Sequence, residues 1–476
     1  MELRSVLGRR EVMALAFGAI VGWSWVVLSG SLIARAGTLG SILAFLVGAV
    51  MVGFVGLIYA ELTSALPRAG GELTFTYRAL GPGWSWVCGW SLVLGYVGVC
   101  AFEAVAISTA FFYLFPNFQL GYLYSVAGSE VYLSWILLGV GSGVLLAAVN
   151  WLGIKTSSLV QGVATIGLLL VGCAFFLGSN LFGDTANLRP HFTSTTGILR
   201  VVMLTPFLMM GFDIIPQTAE EIKMPRRQVG KLILFSVALA SVWYVLVQWG
   251  VGLSLPEEAR RASEMPTADA AARVFGFPPA ASILVLGGLL GILTSWNAFF
   301  VGATRLLFGM GRARMLPGAF ARLDARHQTP TFNILFITAC SCVAPFLGRR
   351  ALTWIADAAS LGIVAAYFLV AISFVILRRR EPDMPRPYRL RHGKLVGYGG
   401  IAVTFGFLLL YMPFSPSSLL WPYEWAIVLA WIGLGIAVYA YAKHKHPHID
   451  RAEQEAIIFG KYARDAAKLR EQPPPV

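Results

Sequence analysis

The chain has 476 residues, of which 57% are hydrophobic and only 13% carry a charged side chain. Soluble globular proteins have about 25% charged and roughly 45–50% apolar residues, so the composition excludes an ordinary soluble enzyme, a disordered protein and a free nucleic-acid-binding protein. The net charge is +13, and the Lys and Arg residues lie mainly in short segments between apolar runs. This pattern predicts a polytopic membrane protein whose partner is the lipid bilayer rather than nucleic acid.

The apolar runs divide the chain into candidate membrane spans. A helix needs roughly 20 apolar residues to cross the hydrocarbon layer. The first run is also longer than the ~7–15 apolar residues of a signal peptide, so we expect it to be retained. The expected fold is all-α. The twelve predicted spans, in chain order, are 11–35, 39–65, 83–115, 131–151, 157–180, 196–219, 229–254, 280–310, 331–348, 352–377, 396–413 and 424–442.

Lys and Arg are distributed unevenly between alternate loops. If the N-terminus is cytoplasmic, 29 of the 37 lie on the cytoplasmic side and 8 lie on the other side. Because short loops rich in Lys and Arg remain in the cytoplasm, we expect the N-terminal segment 1–10 and the basic tail 443–476 there, in a protein of the cell membrane (inner or plasma membrane). The tail also suggests an amphipathic helix near 450–470 that is attracted to anionic lipid.

Two of the predicted spans contain helix-breaking residues in mid-membrane. Span one carries GAIVGWSW (18–25), and span six carries TPFLMMGFDIIPQ (205–217). In a helix interior Gly costs about 1 kcal/mol and Pro about 3 kcal/mol relative to Ala, so such clusters are kept where a broken helix is useful. In span one, close helix packing through GxxxG is the alternative explanation.

Spans one and six occupy equivalent positions if the chain consists of two five-helix repeats, and the odd number of helices inverts the second repeat. Interrupted helices at matching places in two halves are typical of the central site of a transporter. The backbone amides freed at such a break suit a carboxylate, and the freed carbonyls suit an ammonium group or a cation. The two breaks therefore predict a binding site for a small charged molecule.

Three segments that are far apart in the chain carry further motifs. They are YAELTSALPRAGGELTFTYRALGPG (59–83), GFDIIPQTAEEIKMPRR (211–227) and TRLLFGMGRARMLP (304–317). In this order they resemble the second span and following loop, the end of the sixth span and the end of the eighth span of the amino acid–polyamine–organocation (APC) superfamily of permeases. The resemblance extends over roughly residues 8–440.

The resemblance implies a LeuT-like fold, in which two inverted five-helix repeats are followed by two C-terminal helices. On this sequence the repeats would be 11–180 and 196–377, and the last two helices would lie in 396–442. The resemblance also implies that helices 1 and 6 are unwound and that access to the site alternates between the two sides of the membrane. The substrate would be an amino acid or a related amine.

The resemblance further implies the residues of the substrate site. In the family, the break of span one receives the substrate carboxylate, and carbonyls from spans one and six receive the amine. Phe207 would be an aromatic lid, with ordinary packing as the alternative. Carried over by position, the predicted contacts are Ala19, Ile20, Gly22, Trp23, Ser24, Phe207, Met210, Gly211 and Asp213.

This sequence departs from the family pattern in spans one and five. Trp23 and Ser24 stand where the family usually has a small residue and then Gly, which let the substrate carboxylate approach the backbone amides. Span five has no Lys of the kind that replaces a coupling sodium ion in some members. Thr294 and Ser295 in span eight lie where related folds draw hydroxyl ligands for sodium, although such hydroxyls commonly bond back to their own helix. The coupling ion is left open as H+ or Na+.

Charged residues in and near the apolar runs form the last group of candidates. Glu103 lies deep within span three, where a carboxylate is costly and marks a functional site. It is predicted to bind a cationic group of the substrate or a proton, with a structural hydrogen bond as the alternative. Residues near the predicted cytoplasmic ends of spans two and six suit the salt bridges of an inner gate, with simple anchoring as the alternative. The gating candidates are Glu61, Arg68, Glu220 and Glu221, together with Phe207 at the site.

The remaining motifs weigh against other classes of protein. No GxxxxGK[ST], HExxH or GxSxG motif is present, and all six His lie in loops or the tail. We therefore expect no ATP-driven transport, no cofactor, no metal site and no catalytic residue, and the five Cys are expected to pack in the apolar runs. The sequence favours a secondary active transporter for an amino acid or a related organic amine. A polyamine or amine exchanger of the same fold is the alternative, and a membrane-embedded enzyme or a channel is less favoured.

Overall fold

The structure, a computed structural model, describes residues 7–68, 70–445 and 451–459, with the backbone alone at 154–158 and 451–452. Parts of the predicted N-terminal segment and basic tail, residues 1–6, 446–450 and 460–476, lie outside the described residues. The α-helices of the described residues, in chain order, are α1 (Arg9–Ile20), α2 (Ser24–Val27), α3 (Ser29–Ala36), α4 (Thr38–Ala65), α5 (Glu72–Leu80), α6 (Pro82–Leu114), α7 (Leu133–Trp151), α8 (Ile154–Phe182), α9 (Thr195–Met209), α10 (Ile214–Gln217), α11 (Arg226–Ser254), α12 (Glu257–Ala262), α13 (Pro266–Phe275), α14 (Pro279–Arg312), α15 (Thr331–Cys342), α16 (Ala351–Arg380), α17 (Gly393–Tyr411), α18 (Tyr423–Lys445) and α19 (Arg451–Phe459).

Eleven helical segments among the described residues are long and apolar enough to cross a membrane. The expectation of a polytopic, mainly helical membrane protein is therefore confirmed. The predicted span 331–348 differs from the others, because α15 ends at Cys342 and Pro345 lies in the 3₁₀ turn that follows. Proline cannot donate the backbone hydrogen bond that would continue the helix. The segment is apolar but shorter than the other spans, and the twelve-helix arrangement stays a prediction.

Several short elements lie outside the apolar runs. Strands β1 (Tyr122–Val126) and β2 (Ser129–Tyr132) form an antiparallel hairpin between α6 and α7. Ala127 and Gly128 both have a positive φ, 47° and 80°, which is the pattern of a tight two-residue hairpin turn. Helix α5 follows the second span, and α12 and α13 fill the loop before α14.

Helix α6 runs through the centre of the bundle. The apolar part of α6 is 94% buried, whereas that of α18 is 22% buried. Helix α6 packs along α14 and α16, α1 packs along α8 and α14, and α9 packs along α4 and α16. Helix α18 instead exposes Leu429, Ile432 and Ile436, as expected of a helix that faces lipid. Spans one and six therefore lie against central helices rather than at the periphery.

One end of the bundle holds the first described residues and the last described helix, and we refer to it as the terminal end. Leu7 forms a parallel bridge with Ile222. The N–H of Leu7 donates to the carbonyl of Glu221 at 2.8 Å, and the N–H of Lys223 donates to the carbonyl of Leu7 at 2.8 Å. Helix α19 lies against α5 and α14 at the same end. The side of the membrane that the terminal end faces stays a prediction from the charge pattern.

Candidate functional site

Span one is interrupted between α1 and α2. Helix α1 ends at Ile20, the next residue has a φ of −101° and a ψ of 77°, and helix resumes at Ser24. Gly22 permits a close approach at this point, since a Cβ atom would collide with Oε1 of Glu103 and lie 2.8 Å from Oγ of Ser295. The interruption therefore brings the backbone of span one against side chains of α6 and α14.

Span six is interrupted between α9 and α10. Helix α9 ends at Met209, Met210 has an extended backbone, and helix resumes at Ile214. Gly211 has a φ of 130°, a conformation that favours glycine. Oδ1 of Asp213 accepts a hydrogen bond from the N–H of Gly211 at 2.8 Å. The glycine and the carboxylate together hold the chain in its non-helical path.

The two interruptions are in direct contact. A Cβ atom on Gly211 would lie 2.9 Å from both Cβ of Ala19 and the backbone N of Ile20. On another side, the hydroxyl of Tyr244 donates to the carbonyl of Ile20 at 3.0 Å and lies 3.0 Å from Oγ of Ser24. The site is closed to solvent in this conformation, because the predicted substrate contacts are all buried: Ala19, Ile20, Gly22, Trp23, Ser24, Phe207, Met210, Gly211 and Asp213.

Two aromatic residues of the predicted site contact different helices. The indole of Trp23 packs against α14, where a Cβ atom on Gly288 would collide with its ring. The ring of Phe207 meets that of Phe102 on α6, with 5.4 Å between centroids. Because Phe102 directly precedes Glu103, the predicted lid lies beside the buried acid of span three. Its function as a lid stays a prediction.

Glu103 reaches the interruption of span one from α6. The residue is 2% exposed. Its carboxylate faces the backbone N–H of Trp23 and the hydroxyl of Ser295, whereas Oε2 has no hydrogen-bond partner in the part of the chain that the structure describes. The acid thus occupies the stretch of span one where the family resemblance places the carboxylate of the substrate.

The two candidate residues for an ion site have different surroundings. Oγ1 of Thr294 donates to the carbonyl of Gly291 in its own helix at 3.0 Å. Such a hydrogen bond to the same helix is the alternative to ion binding for this hydroxyl. Ser295 instead faces Glu103 and the interruption of span one. A sodium site at these hydroxyls stays a prediction.

A chain of buried amides beside the site was not singled out from the sequence. Nε2 of Gln161 donates to the carbonyl of Ala14 in α1 at 3.2 Å. Nδ2 of Asn297 donates to Oε1 of Gln161 at 3.0 Å, and Nδ2 of Asn150 donates to Oδ1 of Asn297 at 3.1 Å. The chain joins α1 to α7, α8 and α14. Amide residues within otherwise apolar runs were the signal that could have found it.

Three of the predicted gating residues come together at the terminal end. Nε of Arg68 lies 3.2 Å from Glu220, which also pairs with Arg312 at 3.2 Å. Arg305 pairs with both carboxylate oxygens of Glu221, each at 3.2 Å. These buried ion pairs join the segment after α4 to the end of span six and to α14. They connect the elements that must separate if the site opens at this end.

Glu61, a further predicted gating residue, has other partners. Its carboxylate lies 2.6 Å from Arg378 and 3.1 Å from Arg386, and it accepts a hydrogen bond from the N–H of Leu390 at 2.8 Å. Burial lowers the pKa of Arg386, and the negative charge of Glu61 acts in the opposite direction. Glu61 therefore ties α4 to the segment between α16 and α17, and a gating function for it stays a prediction.

Helix α19 covers the ion pairs at the terminal end. Nε of Arg68 donates to the carbonyl of Ile458 at 3.2 Å. Gln454 accepts a hydrogen bond from the hydroxyl of Tyr77 at 3.0 Å and donates to a carbonyl at the end of α14 at 2.7 Å. Phe459 is buried, and its ring meets that of Tyr77 edge-on at 5.8 Å. The helix therefore bridges Arg68, α5 and α14.

The chain resembles membrane transporters along most of its length. The sequence model of the family described as amino acid permease matches residues 7–438. The chain is 28% identical over 428 residues to a branched-chain amino acid permease of Bacillus subtilis, covering 88% of this chain and 89% of that protein. It is 28% identical over 397 residues to cationic amino acid transporter 4 of Mus musculus, covering 81% of this chain and 61% of that protein. It is 24% identical over 411 residues to an aspartate–proton symporter of Bacillus subtilis, covering 81% of this chain and 75% of that protein.

The fold and these similarities define a multi-pass membrane transporter. The chain belongs to the amino acid permease family, within the APC superfamily that the sequence motifs indicated. The relatives are transporters rather than enzymes. Their named substrates differ in charge and size, so membership of the family supports an amino acid transporter and leaves open which molecule is carried.

Proposed function

We propose that the protein is a secondary active transporter for an amino acid or a related organic amine, and that it works by alternating access around spans one and six. The observation that carries the proposal is the contact between the two interrupted spans, where Gly211 packs against Ala19 and Ile20. Backbone groups released from helical hydrogen bonding at this place can bind a small charged substrate in a low-dielectric environment. A LeuT-like arrangement of twelve helices, with inverted repeats at 11–180 and 196–377, is part of this proposal, as is a cytoplasmic position of both termini.

The closed conformation supports a carrier with a gate at each end of the site. At the terminal end the ion pairs of Arg68 with Glu220 and of Arg305 with Glu221 hold the segment after span two, the end of span six and α14 together. Phe207 packs against Phe102 next to the site. In the proposed cycle, the ion pairs separate to open the terminal end, and movement at Phe207 opens the other side.

A second candidate substrate, an amine without a carboxylate, is favoured by the position of Glu103. Its carboxylate faces the N–H of Trp23 at the break of span one, so it lies where a substrate carboxylate binds in the family. Two carboxylates at one place repel each other in a buried site. An amine would instead put its ammonium group next to Glu103 and find a partner for the free Oε2. A polyamine or amine exchanger of the same fold is the resulting alternative.

Uptake into proteoliposomes tests both substrates with matched compounds. The assay compares radiolabelled L-leucine with isoamylamine, and L-lysine with cadaverine, because each pair differs by the α-carboxylate alone. A carrier accumulates at least one compound in a saturable and gradient-dependent manner. Preference for the amine of each pair supports the alternative, and preference for the amino acid supports the leading proposal. Rates that rise linearly with concentration for every compound, in vesicles shown to contain folded protein, would contradict the carrier function.

The substitution Glu103→Gln tests the acid itself. We expect it to lower the uptake of a cationic substrate at least tenfold, roughly the effect of one lost charge-assisted hydrogen bond, while leaving the yield of monodisperse protein nearly unchanged. The exposed acid Glu257, which pairs with Arg261 on the loop helix α12, provides the control Glu257→Gln. Equal uptake by wild type and Glu103→Gln at every pH would remove Glu103 from the mechanism.

A further inference from the structure

A pair of buried acids lies between α5 and the end of span six. Glu72 begins α5, and Asp213 lies in the interruption of span six; both are fully buried. Their charges interact with each other. Within residues 7–68, 70–445 and 451–459, neither forms an ion pair with Arg, Lys or His. The pair is separate from Glu103, which faces span one.

The polar atoms around the two acids form few hydrogen bonds of good geometry among the described residues. Oε2 of Glu72 accepts a hydrogen bond from Nε2 of Gln217, and Oδ1 of Asp213 accepts one from Gly211. The second oxygen of each carboxylate faces a tyrosine hydroxyl, that of Tyr59 for Glu72 and that of Tyr367 for Asp213. Among the described residues these oxygens and hydroxyls, like Oε1 of Gln217, form no hydrogen bond of good geometry. Buried polar atoms in proteins almost always have a partner. The two acids therefore have fewer well-aligned hydrogen bonds than buried carboxylates usually have.

The groups that face the two acids carry no positive charge. They are the side chains of Tyr59 on α4, Cys88 and Tyr96 on α6, and Tyr367 on α16, together with Gln217. Two ionised carboxylates in such surroundings are strongly unfavourable. A proton on one of the two carboxylates removes this repulsion and adds a hydrogen-bond donor to the cluster. The described residues contain no group of three or more His, Cys, Asp or Glu that could hold a metal ion.

The charge of Glu72 depends on contacts between elements at the terminal end. Helix α5 lies outside the membrane-spanning helices, between the second and third spans. Burial, followed by the negative charge of Asp213, raises the pKa of Glu72 well above its ordinary value. Span six contributes to this burial, because Gln217 contacts Glu72 and Gly71 packs against Pro216 with 2.7 Å between an added Cβ and the proline Cβ. Separation of α5 from α10 would let water reach Glu72 and would move it away from Asp213. Both changes would lower the pKa of Glu72 towards its ordinary value.

We propose that Glu72 and Asp213 form a proton-binding site that links proton movement to opening of the terminal end. This inference rests on the proposed transport function and supplies its coupling ion. In the closed state one proton is held on Glu72 and shared towards Asp213. When α5 and α10 separate, water reaches Glu72, the O–H bond breaks, and a water molecule on that side accepts the proton. Closure requires a proton to return, because the site cannot enclose both charges.

The first test measures proton binding without transport. Attenuated total reflection infrared spectroscopy follows the C=O stretch of protonated buried carboxyl groups as sodium-free buffer of changing pH is passed over the reconstituted protein. We expect Glu72→Gln to remove one titrating band, and the control Glu257→Gln to retain it. The conservative variant Glu72→Asp keeps a carboxyl group and should shift the band rather than remove it. A wild-type difference spectrum identical to that of Glu72→Gln would overturn the proposal, as would displacement of the band by added NaCl at constant pH.

The second test measures coupling. With the membrane potential clamped, a gradient of one pH unit should raise accumulation of a substrate in wild-type proteoliposomes about tenfold if one proton moves with each substrate. The probes are labelled L-leucine and isoamylamine. Glu72→Gln should lose this stimulation but retain exchange of internal for external substrate, which shows that the variant is folded and binds substrate. Full stimulation in Glu72→Gln would overturn the proton site. Absence of uptake and exchange in wild type would instead count against the proposed function, and the infrared test would still decide the proton site.

Discussion

A methyl group added at Gly22 would collide with Oε1 of Glu103 and lie 2.8 Å from Oγ of Ser295. We therefore expect Gly22→Ala to displace the acid from the break of span one and to lower substrate uptake roughly tenfold or more, equivalent to about 1.4 kcal/mol. Gly53→Ala in α4 is the matched control, since an added Cβ there meets no atom within 4 Å. Initial uptake rates in proteoliposomes measure the difference. Equal rates for the two variants would mean that the close approach at Gly22 has no functional consequence.

Single residues differ in how far the sequence predicts their surroundings. A carboxylate within an apolar run, such as Glu103, is conspicuous because its burial is costly, and the structure places it against the break of span one. Glu72 lies outside the apolar runs, and its partner Gln217 is 145 residues away in the chain. No local pattern in the sequence marks that contact, which arises only when α5 packs beneath span six.

At the scale of helices, α19 is the element whose removal is most informative. Phe459 and Ile458 are buried in its contact with α5 and Arg68. Replacing a buried Phe by Ala costs about 3–5 kcal/mol in a protein core. An isolated helix of nine residues is at most marginally stable in water, so α19 depends on this contact. We expect Phe459→Ala to release α19 and to raise backbone hydrogen exchange in α5, as measured by mass spectrometry.

The control for this experiment is Ala456→Ser, at an exposed position of α19. It changes the same helix without altering its contact with α5. Unchanged exchange in α5 after Phe459→Ala would show that α19 does not restrain the terminal end. If exchange rises and uptake rises with it, the helix acts as a brake on opening; a fall in uptake would mean that it supports the active fold.

Helix positions were more predictable than helix lengths. Apolar runs gave most spans within a few residues, since the bilayer sets their length. The shorter α15 was not predicted, because Pro345 is a single helix-breaking residue within an otherwise apolar run. The hairpin of β1 and β2 was also missed, since its turn at Ala127 and Gly128 has no Asn-Gly or Asp-Gly signal.

At the scale of the whole molecule, the proposed mechanism depends on three places that are distant in the chain. In the proposed cycle, the breaks of spans one and six hold the substrate and the ion pairs at Arg68 and Arg305 close the terminal end. The acids Glu72 and Asp213 would take up a proton when α5 and α10 meet. Span six belongs to all three, because it carries Gly211, Asp213 and the segment that ends at Glu221. A movement of this one span therefore changes substrate access and proton affinity together.

Binding of substrate should stabilise the whole protein. A ligand present at 100 times its Kd adds about 2.7 kcal/mol to the free energy of unfolding when it binds the folded state alone. A thermal-shift screen of purified protein against amino acids and their decarboxylated amines should therefore raise the Tm for the true substrate in wild type and in Gly53→Ala, but not in Gly22→Ala. A compound that is accumulated in vesicles and yet shifts all three proteins equally binds somewhere other than the break.

The most direct measurement is a cryo-electron microscopy map of the protein in lipid nanodiscs, with the substrate identified by uptake. The expected result is interrupted helices at residues 21–23 and 210–213 and ligand density between them, in contact with the backbone near Gly22 and Gly211. Continuous helices through both positions, or ligand density elsewhere with the breaks unoccupied, would contradict it.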